Sequence, residues 1–308
     1  MKKHVLQKMA LTICNPLNLY RAYAYAKRQK IGINRTQEDP QLRFYSDALG
    51  TDMLHYGYFE DIDISGDEIS IRDIETAQMA YAKKIAELVS GPDQEILDVG
   101  AGMGGLGNLL HHNGHSVTCV TPDKHQAYYI KKNYPELKLI EDKYEDMKEE
   151  KSFSTVIHSE SLQYISLHEA FKKTGQLLAP GGEWIISDYF RQAEHRESRF
   201  TSGHIFEDFQ AVAEENGWSI IYKEDITANI LPTLYFAYNC ACRVLKPAIE
   251  FADFKLKRKQ PFIRYYLDPV VQHANKKFEK ATGGIDPERF AREKRYLLIK
   301  LKVDSSVP

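Results

Sequence analysis

Two hydrophobic rhythms alternate along the middle of this chain. From Glu95 to about Phe190, short apolar runs such as Ile96-Leu97 and Val156-Ile157 are separated by longer stretches with helical spacing. The short runs suit strands buried on both faces, and the longer stretches suit helices that cover them. The pattern predicts strands at Glu95–Val99, Ser116–Val120, Leu137–Glu141, Thr155–Ser159 and Glu183–Tyr189. It places helices around Gly105–His112, Lys124–Asn133 and Leu167–Leu178. Strands that alternate with helices imply βαβ units and a parallel sheet. Pro180-Gly181-Gly182 predicts the turn into the fifth strand.

Beyond this block the pattern predicts a helix near Ile205–Asn216, a strand at Ser219–Ile226 and a last strand at Tyr296–Val303. About 70 residues separate these two strands, too many for a simple loop. They read as helices at Leu234–Phe254 and Tyr265–Ala281, and a further helix is expected at Asp73–Val89. The expected organisation is a helical lid region over 1–90, a core over 91–230 and 295–304, and a helical cap over 231–294 that closes above the acceptor site.

Composition changes this picture little. The chain has 308 residues, 43% of them hydrophobic and 27% charged, which is ordinary for a globular protein with a substantial core. A net charge of −2 gives no reason to expect a nucleic-acid partner. Cys14, Cys119, Cys240 and Cys242 are too few for a disulfide scaffold and lack metal-ligand spacing, so no metal is expected and a reducing, cytoplasmic setting is. No run approaches the roughly 20 apolar residues needed to span a bilayer. Residues 1–37 carry eight Lys or Arg and no acid. That segment reads either as an amphipathic helix lying over the domain or as a basic surface that meets anionic lipid, a peripheral membrane contact.

The strongest chemical signal is Glu95-Ile-Leu-Asp98-Val-Gly100-Ala101-Gly102-Met-Gly104-Gly105. A buried strand runs into a glycine-rich turn and then a helix, at the sheet edge where α/β folds bind ligands. The spacing is not the G-x-G-x-x-G of dinucleotide sites. A carboxylate at Asp98 is poorly placed against a pyrophosphate and better placed against a cationic ligand.

This D-x-G-x-G-x-G-G segment resembles motif I of class I S-adenosylmethionine-dependent methyltransferases. The resemblance covers residues 95–190 and extends more weakly back to about Phe44. It implies a Rossmann-like α/β fold with a seven-stranded, mostly parallel sheet, and S-adenosyl-L-methionine as cofactor. In that family the acid, here Asp98, sits near the amino-acid end of the cofactor, and the loop of Gly100, Ala101, Gly102 and Gly104 passes beneath it. Val120-Thr121-Pro122-Asp123-Lys124-His125-Gln126 is similar to the V-T-x-S-x-x-Q segment of the cyclopropane-fatty-acid synthases and related small-molecule methyltransferases. That similarity gives Thr121 and Gln126 to the ribose, with Asp123 as an alternative or simply a helix N-cap. Glu141-Asp142-Lys143-Tyr144-Glu145-Asp146 resembles the acidic segment that contacts adenine, which implicates Asp142, Lys143 and Tyr144. Phe44-Tyr45 and His55-Tyr56-Gly57-Tyr58-Phe59 resemble upstream aromatic elements that fold over the cofactor. They place Tyr45 and Tyr56 near its carboxylate and Tyr58 towards the substrate.

The fourth strand ends His158-Ser159-Glu160-Ser161-Leu162-Gln163-Tyr164, which looks like motif IV of the tocopherol, geranyl-diphosphate and glycine-type methyltransferases. Cyclopropane synthases carry a Glu-His pair where this chain has Gln163-Tyr164, which favours simple methyl transfer over ring formation. Where the acceptor must lose a proton, a base is needed. The candidates are Glu160, His158 and His55, with Glu160 first because it stands at the carboxyl edge of the strand, beside the expected methyl group. Ser159 joins the cofactor set. Gln163, Tyr164, Asp188, Tyr189, Tyr235 and Tyr238 are the further substrate candidates, and the aromatic cap points to a hydrophobic or amphipathic small molecule accepting at C, N or O. Competing readings are cyclopropane-synthase-like modification of fatty acyl chains, a nicotinamide-dependent oxidoreductase, and a non-catalytic cofactor-binding partner on a membrane.

Overall fold

A computed structural model describes residues 16–17, 20–21, 23–24, 51–63, 68–148, 153–198 and 202–303. The elements run α1 (Ile71–Ala86), β1 (Glu95–Val99), α2 (Gly105–His112), β2 (Ser116–Val120), α3 (Lys124–Asn133), β3 (Lys138–Ile140), β4 (Phe153–Ser159), α4 (Leu167–Leu177) and β5 (Leu178–Arg191). Then follow α5 (Phe206–Glu215), β6 (Trp218–Asp225), α6 (Thr227–Asn239), a π-helical turn (Cys240–Leu245), α7 (Lys246–Lys259), α8 (Pro261–Gly284), α9 (Pro287–Glu293) and β7 (Lys294–Val303).

The seven strands lie in the order β3-β2-β1-β4-β5-β7-β6. Only β7 is antiparallel to its neighbours, because it returns between β5 and β6. The expected Rossmann-like, mostly parallel sheet is therefore the fold. Successive residues of the central strands feed opposite cores. Leu97, Trp184, Ile186 and Ile299 enter one cluster, with Phe171, Phe209 and Trp218. Ile96, Ile185 and Leu298 enter the other, with Tyr81, Leu110 and Ile130. Burial on both faces explains why these strands read as apolar runs without alternation.

Local chemistry sets the helix ends. Ser70 and Asp73 form a reciprocal capping box at the start of α1. The Asp123 carboxylate accepts from the amides of His125 and Gln126 to open α3. The long insertion before β7 is helical as expected, although the first predicted helix there is three elements: α6, the π turn and α7. Of these helices, α6 and α9 bury residues against the body, including Ile230, Leu234 and Phe290. Helices α7 and α8 bury none. The basic amino-terminal segment lies mostly outside the described residues; of its described positions, Leu17, Tyr20 and Tyr23 are exposed helical residues.

Candidate functional site

At the carboxyl ends of β1, β2 and β4 the glycine loop, the β2–α3 turn and the segment 52–55 enclose a cavity of about 480 Å³. Its shape begins with the backbone at the tip of β1. Gly100 has φ +74°, and both Gly100 and Ala101 donate their amides to the carbonyl of Val120. A Cβ at Gly100 would stand 2.5 Å from Ser161 Cβ, whose hydroxyl donates to the carbonyl of Val99 at 2.6 Å. The tips of β1 and β4 are thereby stitched together with no room for a side chain. Gly102, at φ +56°, faces open space, with the Leu54 side chain no nearer than 3.8 Å to a Cβ built there.

Asp98 lines this cavity and is 1% exposed. Its Oδ2 is buried and has no hydrogen-bond partner among the described residues. Burial pushes its carboxyl up to about 7. An unpaired buried carboxylate oxygen is costly unless a ligand completes it. A cationic ligand group resting on the glycine loop would do so and would hold the carboxyl ionised. The donor set therefore fits an amino-acid ammonium.

Glu160 stands at the other end of the cavity, at φ +54°, a left-handed conformation that a side chain rarely adopts. One carboxylate oxygen, Oε1, accepts from the backbone N–H of Tyr56 at 2.8 Å and from the Tyr296 hydroxyl at 2.7 Å. The Tyr296 hydroxyl lies 2.8 Å from that of Tyr81, which also meets Ser159 Oγ at 3.2 Å. Burial pushes the Glu160 carboxyl up to about 8, opposed by its two hydrogen bonds and reinforced by the charge of Asp188. Residue 55 is a second titratable group on the cavity wall. Burial holds the His55 imidazole down at about 4, with Nδ1 donating to the carbonyl of Tyr56 and the ring against Tyr81, centroids 4.2 Å apart. A neutral imidazole of that weakness is a poorer proton acceptor near pH 7 than an ionised Glu160.

On the β2 side the Thr121 hydroxyl donates to Gln126 Oε1 at 2.7 Å and accepts from the Asp123 amide, which fixes both side chains on the cavity wall. Residues 52–59 form a strap across the sheet edge. Asp52 accepts from the hydroxyls of Tyr129 and Tyr134 at the end of α3. From α1, the Gln78 side-chain amide donates to the carbonyls of Met53 and His55, each at 2.7 Å. From α6, Thr233 Oγ1 accepts from the Gly57 amide, and Asn229 exchanges two bonds with Phe59.

Of the residues expected from sequence, His55, Asp98, Gly100, Ala101 and Gly102 come together on this cavity. Thr121, Gln126, Ser159, Glu160, Gln163 and Tyr164 join them there. Tyr56 reaches the site through its backbone, while its ring packs on Phe290 and Tyr296. Several others stand elsewhere. His158 points into the core, where Nδ1 accepts from Trp184 Nε1 at 2.9 Å and burial holds the ring down at about 3; it is a packing residue and leaves the list of bases. Tyr144 is equally buried, hydrogen-bonded to Thr174 Oγ1 at 2.7 Å. Asp142 and Lys143 are exposed and outside the cavity lining.

Gly104 caps α2 at φ +88° and abuts Ile130 of α3, so its role is packing. The Tyr58 ring lies under Lys84 on the outer side of α1. Asp188 is buried behind the site, pushed up to about 7 by burial, and accepts from the amides of Gln163 and Tyr189. Tyr189 donates to Gln163 Oε1, so this pair positions Gln163 from behind. Tyr235 and Tyr238 are half-buried on α6 and do not line the cavity. Tyr45 lies outside the described residues. Sequence reasoning missed Asp52, Gln78, Tyr81 and Tyr296. The first two carried no motif, and the tyrosines sat within apolar stripes that read as core. No group of three or more metal-ligating side chains is present among the described residues.

Residues 96–182 match the family model described as a methyltransferase domain. No curated protein matches the chain. Among solved structures, the fold is similar to a putative sarcosine dimethylglycine methyltransferase from Galdieria sulphuraria. The TM-score is 0.64 at 14% identity, over 87% of this chain and 100% of that one. The cyclase SpnF follows with a TM-score of 0.62 at 16% identity, over 84% of this chain and 92% of that one. Geranyl diphosphate C-methyltransferase from Streptomyces coelicolor A3(2) gives 0.57 at 18% identity, over 80% and 90%. At these identities the likeness establishes the fold, and the family match places a methyltransferase domain on the glycine-loop half of the sheet.

Proposed function

We propose that this methyltransferase-domain protein transfers a methyl group from S-adenosyl-L-methionine to a hydrophobic or amphipathic small molecule, with Glu160 as the base where the acceptor loses a proton. One observation carries the reading: a single cavity is lined both by the buried Asp98, at the end of β1 just before the glycine loop, and by Glu160. The bound cofactor supplies an electrophilic methyl group on a sulfonium.

This chain's residues do the rest. Asp98 holds the cofactor's ammonium, and Thr121 and Gln126 present fixed polar atoms to a ribose diol. Once the cofactor fills the cavity, the strap of residues 52–59 would close the loop off from water. Glu160 accepts the acceptor's proton; a cation sharing the cavity favours its ionised form, which Tyr56 and Tyr296 already hydrogen-bond. Glu160 would take the acceptor's proton as the acceptor bonds to the methyl carbon, so that charge balances with the release of a neutral thioether. Holding acceptor and methyl about 3–3.5 Å apart supplies much of the rate.

The geranyl-diphosphate-binding neighbour supports an apolar acceptor class for this chain, as do the apolar rings of Tyr56 and Phe290 behind the strap. We take residues 1–90 as lid and 91–230 with 295–304 as core. We assign the capping role to α6, which runs from the end of the core segment into 231–294 and ties the strap through Asn229 and Thr233.

Two measurements test this. Calorimetric titration with S-adenosylhomocysteine and with NADH is expected to show binding of the first alone. Release of S-adenosylhomocysteine is then followed over a panel of isoprenoid, polyketide and fatty acyl acceptors, with and without bicarbonate. Binding of NADH instead of S-adenosylhomocysteine would overturn the cofactor assignment. Turnover that requires bicarbonate would remove Glu160 as base.

A further inference from the structure

Helices α7 and α8 meet at Gln260 and are tied there by Asp253, which takes Lys257 Nζ at 2.7 Å and the guanidinium of Arg264. Neither helix buries a single residue along its length. The tip they form is nonetheless aromatic. Phe251 is 61% exposed, Phe254 55%, Phe262 59%, Tyr265 77% and Tyr266 67%. Large apolar side chains clustered in this way on a surface mark an interaction site. On α8 the helical period puts Phe262, Tyr265, Tyr266 and Val270 on one face, followed along that same face by Lys276, Lys277 and Lys280. The half-buried Val271 and Phe278 lie on the other side, with the half-buried Ile263 at the border, so packing already has its own stripe.

Charge identifies the partner. Residues 251–266 hold five Lys or Arg and one acid, in a chain whose net charge is −2. That acid, Asp253, is already engaged by Lys257 and Arg264. Lys255, Arg258 and Lys259 have no ion pair among the described residues, and Lys255 lies over the Phe251 ring at 5.0 Å.

We propose that the α7–α8 tip docks peripherally on an anionic lipid surface. Its rings would seat at headgroup depth and its cations would meet lipid phosphate and carboxylate. No described helix is long and apolar enough to cross a membrane, so the contact is a surface one. The two alternative occupants within this chain are disfavoured by charge. A second copy would bring the same positive tip, and residues 1–37 carry eight basic residues and no acid. The tip is also mechanically joined to the site, because α7 continues through the π turn into α6, which holds the strap.

The test is sedimentation of the full chain with vesicles of phosphatidylcholine alone or mixed with phosphatidylserine, alongside light scattering of the protein without lipid. The expected result is binding to the mixed vesicles only, weakened by added salt. Phe262→Ser with Tyr265→Ser and Tyr266→Ser, and separately Lys255→Glu with Arg258→Glu and Lys259→Glu, are each expected to weaken it at least about ten-fold. Both variants alter residues that are exposed or, for Lys255, half-buried, and their melting temperatures and S-adenosylhomocysteine titrations are expected to match the parent. Absence of vesicle binding overturns the proposal, as does binding that both variants retain. Binding lost only on Lys2→Gln, Lys3→Gln and Lys8→Gln would assign it to the amino terminus instead. A dimer dissolved by the serine variant, without vesicle binding, would make a second copy the occupant.

Discussion

Replacing Glu160 with Gln isolates what it costs the fold to hold a carboxyl at the rim of the glycine loop. Glutamine keeps an oxygen for the Tyr56 amide and the Tyr296 hydroxyl, so the hydrogen bonds at 2.8 and 2.7 Å persist while the titrating proton is removed. The native carboxyl is raised from its ordinary 4.5 to about 8. Below pH 4.5 the group is neutral in both the folded and unfolded chain and favours neither. As pH rises from there, the unfolded chain ionises first, and folded stability falls until the folded carboxyl ionises near 8. At about 1.4 kcal/mol per pH unit the ceiling is roughly 5 kcal/mol. Water reaches the cavity that Glu160 lines, so about 2–3 kcal/mol is the expected loss. Urea unfolding of both proteins near pH 5, 7 and 9 measures it. The variant should match the parent near pH 5 and exceed it increasingly towards pH 9. Asp98, raised to about 7, titrates in both proteins and cancels in the difference, whereas Asp188, also raised to about 7, repels the Glu160 charge, so its ionisation steepens the divergence above that pH. Parallel stability curves would refute the claim that Glu160 is a perturbed acid.

Two further outcomes follow from the same site. Calorimetry with S-adenosylhomocysteine should show affinity rising as pH passes about 7, where Asp98 ionises; Asp98→Asn should weaken binding about ten-fold or more and flatten that dependence. Once an acceptor is found, Tyr296→Phe should shift the ascending, acid-side limb of the rate profile, set by ionisation of Glu160 near 8, upwards by roughly one to two pH units, since it removes a hydrogen bond to the charged form of Glu160. A limb that stays in place would make Tyr296 a packing residue only.

The strands and the glycine loop were legible because each is a local pattern. Glu95–Val99 is a buried strand in sequence and structure alike, and Asp98 with Gly100 and Gly102 reached the cavity as the spacing implied. The apparatus around Glu160 was not legible, because it is assembled across long separations. Tyr296 comes from β7, and Tyr81 from α1, and each reads in sequence as one more apolar position. His158 misled for a related reason. It still lies inside β4, where its side chain packs onto Trp184, whereas Glu160, two residues on, has left the strand at φ +54° and turns to the cavity. The adenine-side residues Asp142 and Lys143 follow the short β3, where a charge run carries little information about which carboxylate faces inward.

Glu160 occupies the left-handed region because its neighbours over-determine it. Its backbone N–H donates to the carbonyl of Ser187 at 2.8 Å, its side chain is held by the strap and by β7, and the next residue, Ser161, is bonded to the tip of β1. Four parts of the chain thus hold one residue at φ +54°, at a backbone cost of about 1–2 kcal/mol. A pair of variants separates that cost from the carboxyl's chemistry, because Glu160→Ala and Glu160→Gly both remove the acid and its hydrogen bonds. Glycine adopts this conformation freely, and its extra disorder in the unfolded chain offsets only part of the relief. The glycine variant should therefore be the more stable of the two by about 0.5–1 kcal/mol in urea unfolding at any pH. An alanine variant equal to or more stable than the glycine variant would mean that the carboxylate is not held on a strained backbone, and the rigid placement of the proposed base would lose its foundation.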